Sequence, residues 1–181
     1  MARQIALLRG INVGGHKKVP MARLRELMGE LGYADVRTYV QSGNVVFTSP
    51  DRPDEETARV LEQQLEAAFG FEIAVVIRSR DELTAVAEAN PLHEIAVDPA
   101  RYHVLFLSEA VAPERLADLE PAEFAPDVLH LRGREIYLWT PEGMHDSRLA
   151  KALTPKRLGV TATARNWRTV EKLLALAGDG A

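Results

Sequence analysis

Three polar segments hold most of the side chains that could bind or transform a ligand. The first is Arg9-Gly10-Ile11-Asn12-Val13-Gly14-Gly15-His16-Lys17-Lys18. Glycines at Gly10, Gly14 and Gly15 let backbone N–H groups turn towards an anion, and Lys17 and Lys18 add positive charge ahead of a helix start. Gly10 and Gly15 have the separation of a Walker A loop, but His16 stands where the lysine should be and no Ser or Thr follows the lysines. The dinucleotide pattern G-x-G-x-x-G is absent as well. The second segment is Thr38-Tyr39-Val40-Gln41-Ser42-Gly43-Asn44, where Gln41, Ser42 and Asn44 supply uncharged donors and acceptors and Gly43 allows close backbone approach. In the third, Arg165, Asn166, Trp167 and Arg168 combine two guanidinium groups, an amide and an indole at the expected start of the last helix, a set suited to a phosphate or a stacked base. Each segment also has an ordinary structural reading: a long loop, a hairpin turn and a core-anchoring tryptophan.

Other chemistry is poorly supplied. The chain has no cysteine, which excludes disulfides, thiolate metal sites and cysteine nucleophiles. His16, His93, His103, His130 and His145 form no H-E-x-x-H pattern, so neither a metal nor a cofactor is expected. Ser42 and Ser147 lack the context of a nucleophile elbow. Asp35, His16 and Asp146 can move a proton and lie near the motifs, but nothing else marks one as a general base. The expectation is a binding module for a small anionic or phosphorylated, nucleotide-like ligand. Arg9, Lys17, Lys18, Arg165 and Arg168 would form its basic rim, and Asn12, Gly14, Gly15, Gln41, Ser42, Gly43, Asn44, Asn166 and Trp167 would orient the ligand. An enzyme acting on such a ligand, and a structural or interaction protein without one, are the alternatives.

Charge distribution bears on this expectation. The 181 residues carry a formal net charge of -4, contributed as +4, -12 and +4 by residues 1–50, 51–127 and 128–181. The overall acidity, and the lack of aromatics in the first strand, make a small ligand the better expectation than nucleic acid. No apolar run approaches the ~20 residues that span a bilayer, and the start has no secretory pattern, so a cytoplasmic protein is expected. The sequence gives no guide to oligomeric state.

The motifs must be positioned by regular elements, and periodicity predicts these. Gln4 to Leu8 reads as a buried strand, and Pro20 opens a helix with Met21, Leu24, Leu27, Met28 and Leu31 on one face before Gly32 stops it. Val36 to Val40 and Val45 to Phe47 read as a hairpin. Pro53 opens a second helix with Val60, Leu61, Leu65 and Ala68 as its buried stripe, and Phe71 to Ile77 is a further strand. A helix over Asp81 to Ala89 and a connection to Arg101 follow. Then come a strand at Tyr102 to Leu107, a helix at Pro113 to Leu119, strands at Val128 to Leu131 and Glu135 to Trp139, a helix at Ser147 to Leu158 interrupted near Thr154-Pro155, a strand within Gly159 to Ala164 and a terminal helix. The fold class is therefore α+β with two successive β-α-β-β-α units, the first ferredoxin-like in its split β-α-β order. The expected division is residues 1–80 and residues 81–181.

The chain also resembles a bacterial family, domain-of-unknown-function family 1697. The resemblance rests on Ala6 through Gly15, Lys18-Val19-Pro20-Met21, Val36 through Phe47, and Thr163-Ala164-Arg165-Asn166-Trp167. It implies a two-part α+β fold and carries no activity. Its signature strings fall on the same three segments that chemistry singles out.

Overall fold

The computed structural model describes residues 1–50 and 52–178, and its chain divides into two compact units. One comprises Met1–Ala85 and the segment from Lys172; the other is Val86–Glu171. Both are α+β, and each is built on a four-stranded antiparallel sheet. The division falls inside a helix a few residues past Arg80, and the C-terminal segment groups with the first unit.

In the first unit β1 (Ala2–Leu8), β2 (Ala34–Tyr39), β3 (Asn44–Ser49) and β4 (Val75–Ser79) stand in the order β2-β3-β1-β4. β1 and β3 are central, so their side chains are buried on both faces, and this explains the unbroken apolar run Ile5-Ala6-Leu7-Leu8. Helices α1 (Met21–Glu30) and α2 (Asp54–Phe69) lay Met21, Leu24, Leu27, Met28, Leu61 and Leu65 on Ala6, Leu8, Val45, Phe47, Val75 and Ile77. Pro20 and Pro53 stand immediately before these helices, and Gly70 closes α2 in the left-handed conformation at φ 81°. The α2 stripe is narrower than its sequence suggests, because Val60 is half-buried and Ala68 exposed, while Thr57 is buried. Gln4 enters the core as a bonded group: its amide donates to Asp54 Oδ1 at 3.0 Å and its oxygen accepts from Ser49 Oγ.

Val40 departs from the expected strand. It lies outside β2 at φ 52°, and about half of its surface is exposed. A β-branched side chain rarely tolerates that conformation, so the turn geometry has overridden strand propensity.

In the second unit β5 (Tyr102–Leu107), β6 (Val128–Arg132), β7 (Glu135–Trp139) and β8 (Ala162–Asn166) stand in the order β6-β7-β5-β8, repeating the first pattern. The cover on one face is made of short pieces. The expected helix at Pro113 to Leu119 is a 3-10 turn, Pro113–Leu116, followed by α4 (Pro121–Phe124). The interrupted helix is two: α5 (Arg148–Ala152), capped by Ser147 Oγ, and α6 (Pro155–Leu158), capped by Thr154 Oγ1. Leu116, Leu149, Leu153 and Leu158 from these pieces pack on Leu105, Leu107, Ile136 and Leu138. Helices α3 (Arg80–Ala89) and α7 (Trp167–Gly178) complete the elements. Tyr137 donates its hydroxyl to the Val86 carbonyl at 2.9 Å, and burial pushes its pKa up to about 12. Among the described residues no helix is long and apolar enough to cross a membrane.

Candidate functional site

The glycine segment leaves β1 at Arg9, whose backbone N–H donates to the Ala74 carbonyl at 2.9 Å. Gly14 and Gly15 form the two central residues of a tight reversal, with φ of 58° and 77°, closed by His16 N–H donating to the Val13 carbonyl at 3.0 Å. Two consecutive positive φ angles are what a type I′ turn requires, so this glycine pair serves a hairpin-like turn. Asn12 secures the base of the turn. Its Oδ1 accepts from Val19 N–H at 2.9 Å, and its Nδ2 donates to the Val19 carbonyl at 3.0 Å and the Gln41 carbonyl at 2.7 Å.

The hairpin tip is packed from beneath. Gly43 is buried at φ 84°, and its carbonyl accepts from Leu8 N–H at 2.8 Å. A Cβ there would stand 2.7 Å from Leu8 Cβ and 2.9 Å from Ile11 Cδ1, so only glycine fits. Asn44 is fully buried and donates to the Tyr39 carbonyl at 3.0 Å and to Ser42 Oγ at 2.9 Å. Gln41 and Ser42 are exposed. The structure thus brings Asn12, Gln41, Ser42, Gly43 and Asn44 together, with the side chains of Asn12 and Asn44 tying backbone together.

Beside this joined pair of loops lies a cleft of about 650 Å³ lined by Arg9, Gly10, Lys17, Glu72, Ile73 and Ala74 on one side and by Arg59, Glu62, Gln63 and Glu66 of α2 on the other. Spacings of three and four residues place the α2 quartet on one helix face. Lys17 Nζ donates to the Glu72 carbonyl at 3.0 Å and lies 5.9 Å from the centre of the Phe71 ring, which holds the ammonium at the rim. Glu62 Oε1 accepts from Val75 N–H at 2.9 Å, so this carboxylate also fixes the start of β4. Among the described residues neither Arg9 nor Arg59 has a carboxylate partner within ion-pairing distance. Lys18 is exposed and is not part of the cleft lining.

The contribution of α2 is absent from the motif reading, which draws only on the three polar segments. The signal was present in the helical spacing of Arg59, Glu62, Gln63 and Glu66, but pairing Arg9 with Ala74 is a tertiary event.

The third segment lies in the second unit. Arg165 sits in β8 rather than at a helix start, and its residue is 8% exposed. Its Nη1 donates to Thr163 Oγ1 at 2.7 Å and to the Ala164 carbonyl at 2.9 Å, and burial pushes its pKa down to about 10. Asn166 Oδ1 accepts from Thr169 N–H at 3.0 Å and caps α7. Trp167 stacks on Tyr102 with ring centres 4.7 Å apart and planes 16° from parallel. Arg168 is exposed. Among the described residues no group of three or more His, Asp or Glu is placed to hold a metal ion.

Comparison with solved structures finds a similar chain described as conserved bacterial protein SP0830 from Streptococcus pneumoniae. It is 29% identical, with 97% of this chain and 98% of that chain covered and a TM-score of 0.77. Comparison with curated proteins finds no match. The sequence profile of a family described as Protein of unknown function (DUF1697) matches residues 1–137, which include the glycine segment and the hairpin but not Thr163 to Trp167. The chain belongs to that family.

Proposed function

We propose that this protein is a binding module for a small phosphorylated, nucleotide-like ligand, held in the cleft between the glycine turn and α2. The observation that carries the reading is the convergence of Arg9, Lys17 and Arg59 on one concave surface, with both guanidinium groups lacking a carboxylate partner among the described residues. Guanidinium groups bind phosphate oxygens with paired N–H donors, and a lysine at the rim adds a point charge. Glu66 and Gln63 on the facing helix supply acceptors for hydroxyl or amino groups on the rest of the ligand. The carboxylates make the cleft balanced in charge, which favours a ligand carrying donors as well as an anion over inorganic phosphate alone. An enzyme acting on the same ligand is the second expectation from sequence, and turnover of bound ligand distinguishes it.

The test is calorimetric titration of the intact protein with mono-, di- and triphosphate nucleosides and inorganic phosphate. Replacing Arg9 and Arg59 together with alanine should weaken binding by about tenfold or more, the loss expected from charge-assisted hydrogen bonds. Arg23→Ala, which removes a surface pair with Glu30 on α1, should leave affinity unchanged. Undiminished affinity in the double variant, or no binding by any member of the panel, would sink the reading.

A further inference from the structure

The two sheets share a strand order but not their helical cover. In the first unit one face lies under helices of 10 and 16 residues. In the second the corresponding pieces are of four, four, five and four residues. Single turns cannot close a sheet face as a long helix does. Between the 3-10 turn, α4 and the edge strand β6 they leave a groove of about 610 Å³, lined chiefly by Leu116, Leu119, Phe124, Val128, Leu129 and Leu149. Four of these, Leu119, Phe124, Val128 and Leu129, are only half-buried, so apolar surface that belongs against a helix meets water instead.

At Phe124 to Asp127 the groove runs into a smaller hollow of about 130 Å³ that holds Glu123, Asp127, Glu142 and Asp146. Among the described residues Arg148 is the one cation in its lining, and its guanidinium lies 5.5 Å from the centre of the Phe124 ring. Asp127 Oδ2 accepts from Ser147 Oγ at 2.7 Å, and Glu123, Glu142 and Asp146 are exposed. An apolar trough ending in negative charge selects an elongated apolar body with a cationic end.

We infer that this groove docks an amphipathic helix from a partner protein, with its apolar stripe in the trough and Lys or Arg residues over the acidic hollow. A helix is the fitting occupant because the vacancy lies on the sheet face that a long helix covers in the first unit. Its side chains at i, i+3, i+4 and i+7 form a stripe of the required kind. The carboxylates supply orientation and attraction at distance more than raw affinity.

The experiment uses the full chain and a fluorescein-labelled peptide of about 14 residues, roughly four helical turns, with leucines at i, i+3, i+4 and i+7 and lysines elsewhere. Saturable binding in the micromolar range is expected, weakening as salt rises. A scrambled peptide of the same composition, and one with glutamate in place of lysine, should bind about tenfold more weakly or worse. Ala122→Trp, at an exposed position in the groove lining, fills the trough without disturbing the core and should weaken binding by about tenfold. Glu142→Gln with Asp146→Asn should weaken binding and flatten its salt dependence. The inference is overturned by equal binding of the scrambled peptide, by no effect of Ala122→Trp, or by no saturable binding. Binding of dodecylamine without the peptide would also overturn it, in favour of a small amphiphile.

Discussion

Asn12 Nδ2 donates to the Gln41 carbonyl at 2.7 Å, and this bond joins two loops separated by 29 residues. The same amide group also grips both backbone polar groups of Val19, so one side chain fixes the glycine turn and its attachment to the hairpin. Removing it leaves backbone groups of both loops without these partners. Asn12→Ala should lower the unfolding free energy by about 2 kcal/mol, and Asn12→Asp, which keeps the acceptor but sets a carboxylate oxygen against the Val19 and Gln41 carbonyls, by at least as much. Urea denaturation monitored by circular dichroism measures both, and equal stability of all three proteins would show that the latch contributes nothing.

Gly43 and Gly15 separate two reasons for glycine. Both have positive φ, but only Gly43 has Leu8 and Ile11 within 3 Å of where a Cβ would stand, and Gly15 has open space. Gly15→Ala should cost about 1 kcal/mol from backbone conformation alone. Gly43→Ala should cost about 3 kcal/mol, because overpacking adds to the same strain. Thermal melts of the two variants should therefore differ clearly, with Gly43→Ala the lower.

Trp167 carries an indole whose sequence context suggests base stacking, yet its face is occupied by Tyr102. Trp167→Ala should destabilise the protein by about 3–5 kcal/mol, and Trp167→Phe by about 1–2 kcal/mol, since the smaller ring retains part of the stack. Denaturation midpoints check this; a Trp167→Ala protein as stable as the parent would contradict the core role.

His103 on β5 is desolvated by burial, which lowers its pKa below the ordinary value near 6.5, and its Nδ1 has no hydrogen-bond partner among the described residues. Between 6.5 and that lower folded value the unfolded chain holds more protons than the folded one. Stability should therefore fall as pH drops through that window and level off beneath it. Urea midpoints from about pH 7.5 to about pH 5 should show this slope, and His103→Gln should remove His103's share of it. Identical slopes in the two proteins would refute the assignment.

Sequence periodicity was enough to determine most of the architecture. Helical spacing after a proline placed α1 and the body of α2, with Gly32 stopping α1, and apolar runs placed β1, β3, β5 and β7, because these patterns are local consequences of which face each element buries. Asn166 caps α7 as an amide side chain standing immediately before the helix can. Local pattern failed where tertiary demands overrode propensity. Val40 has a strand-forming side chain, but the turn it occupies needs a positive φ. Pro113 to Leu119 has a helix start, but only a 3-10 turn forms before the chain re-enters at Pro121.

The site was less legible than the fold. Residue types marked Arg9, Lys17 and the glycine turn as capable of anion chemistry, but type and spacing cannot say whether an amide faces a ligand or holds a loop. In the tertiary structure the amides of Asn12 and Asn44 hydrogen-bond backbone carbonyls, and Gly14 and Gly15 make a turn. Folding also brought Arg59, Glu62, Gln63 and Glu66 opposite Arg9, a juxtaposition of residues fifty or more positions apart that depends on β4 pairing beside β1. Periodicity reports which face an element buries; only the assembled sheet determines which distant side chains share a cleft.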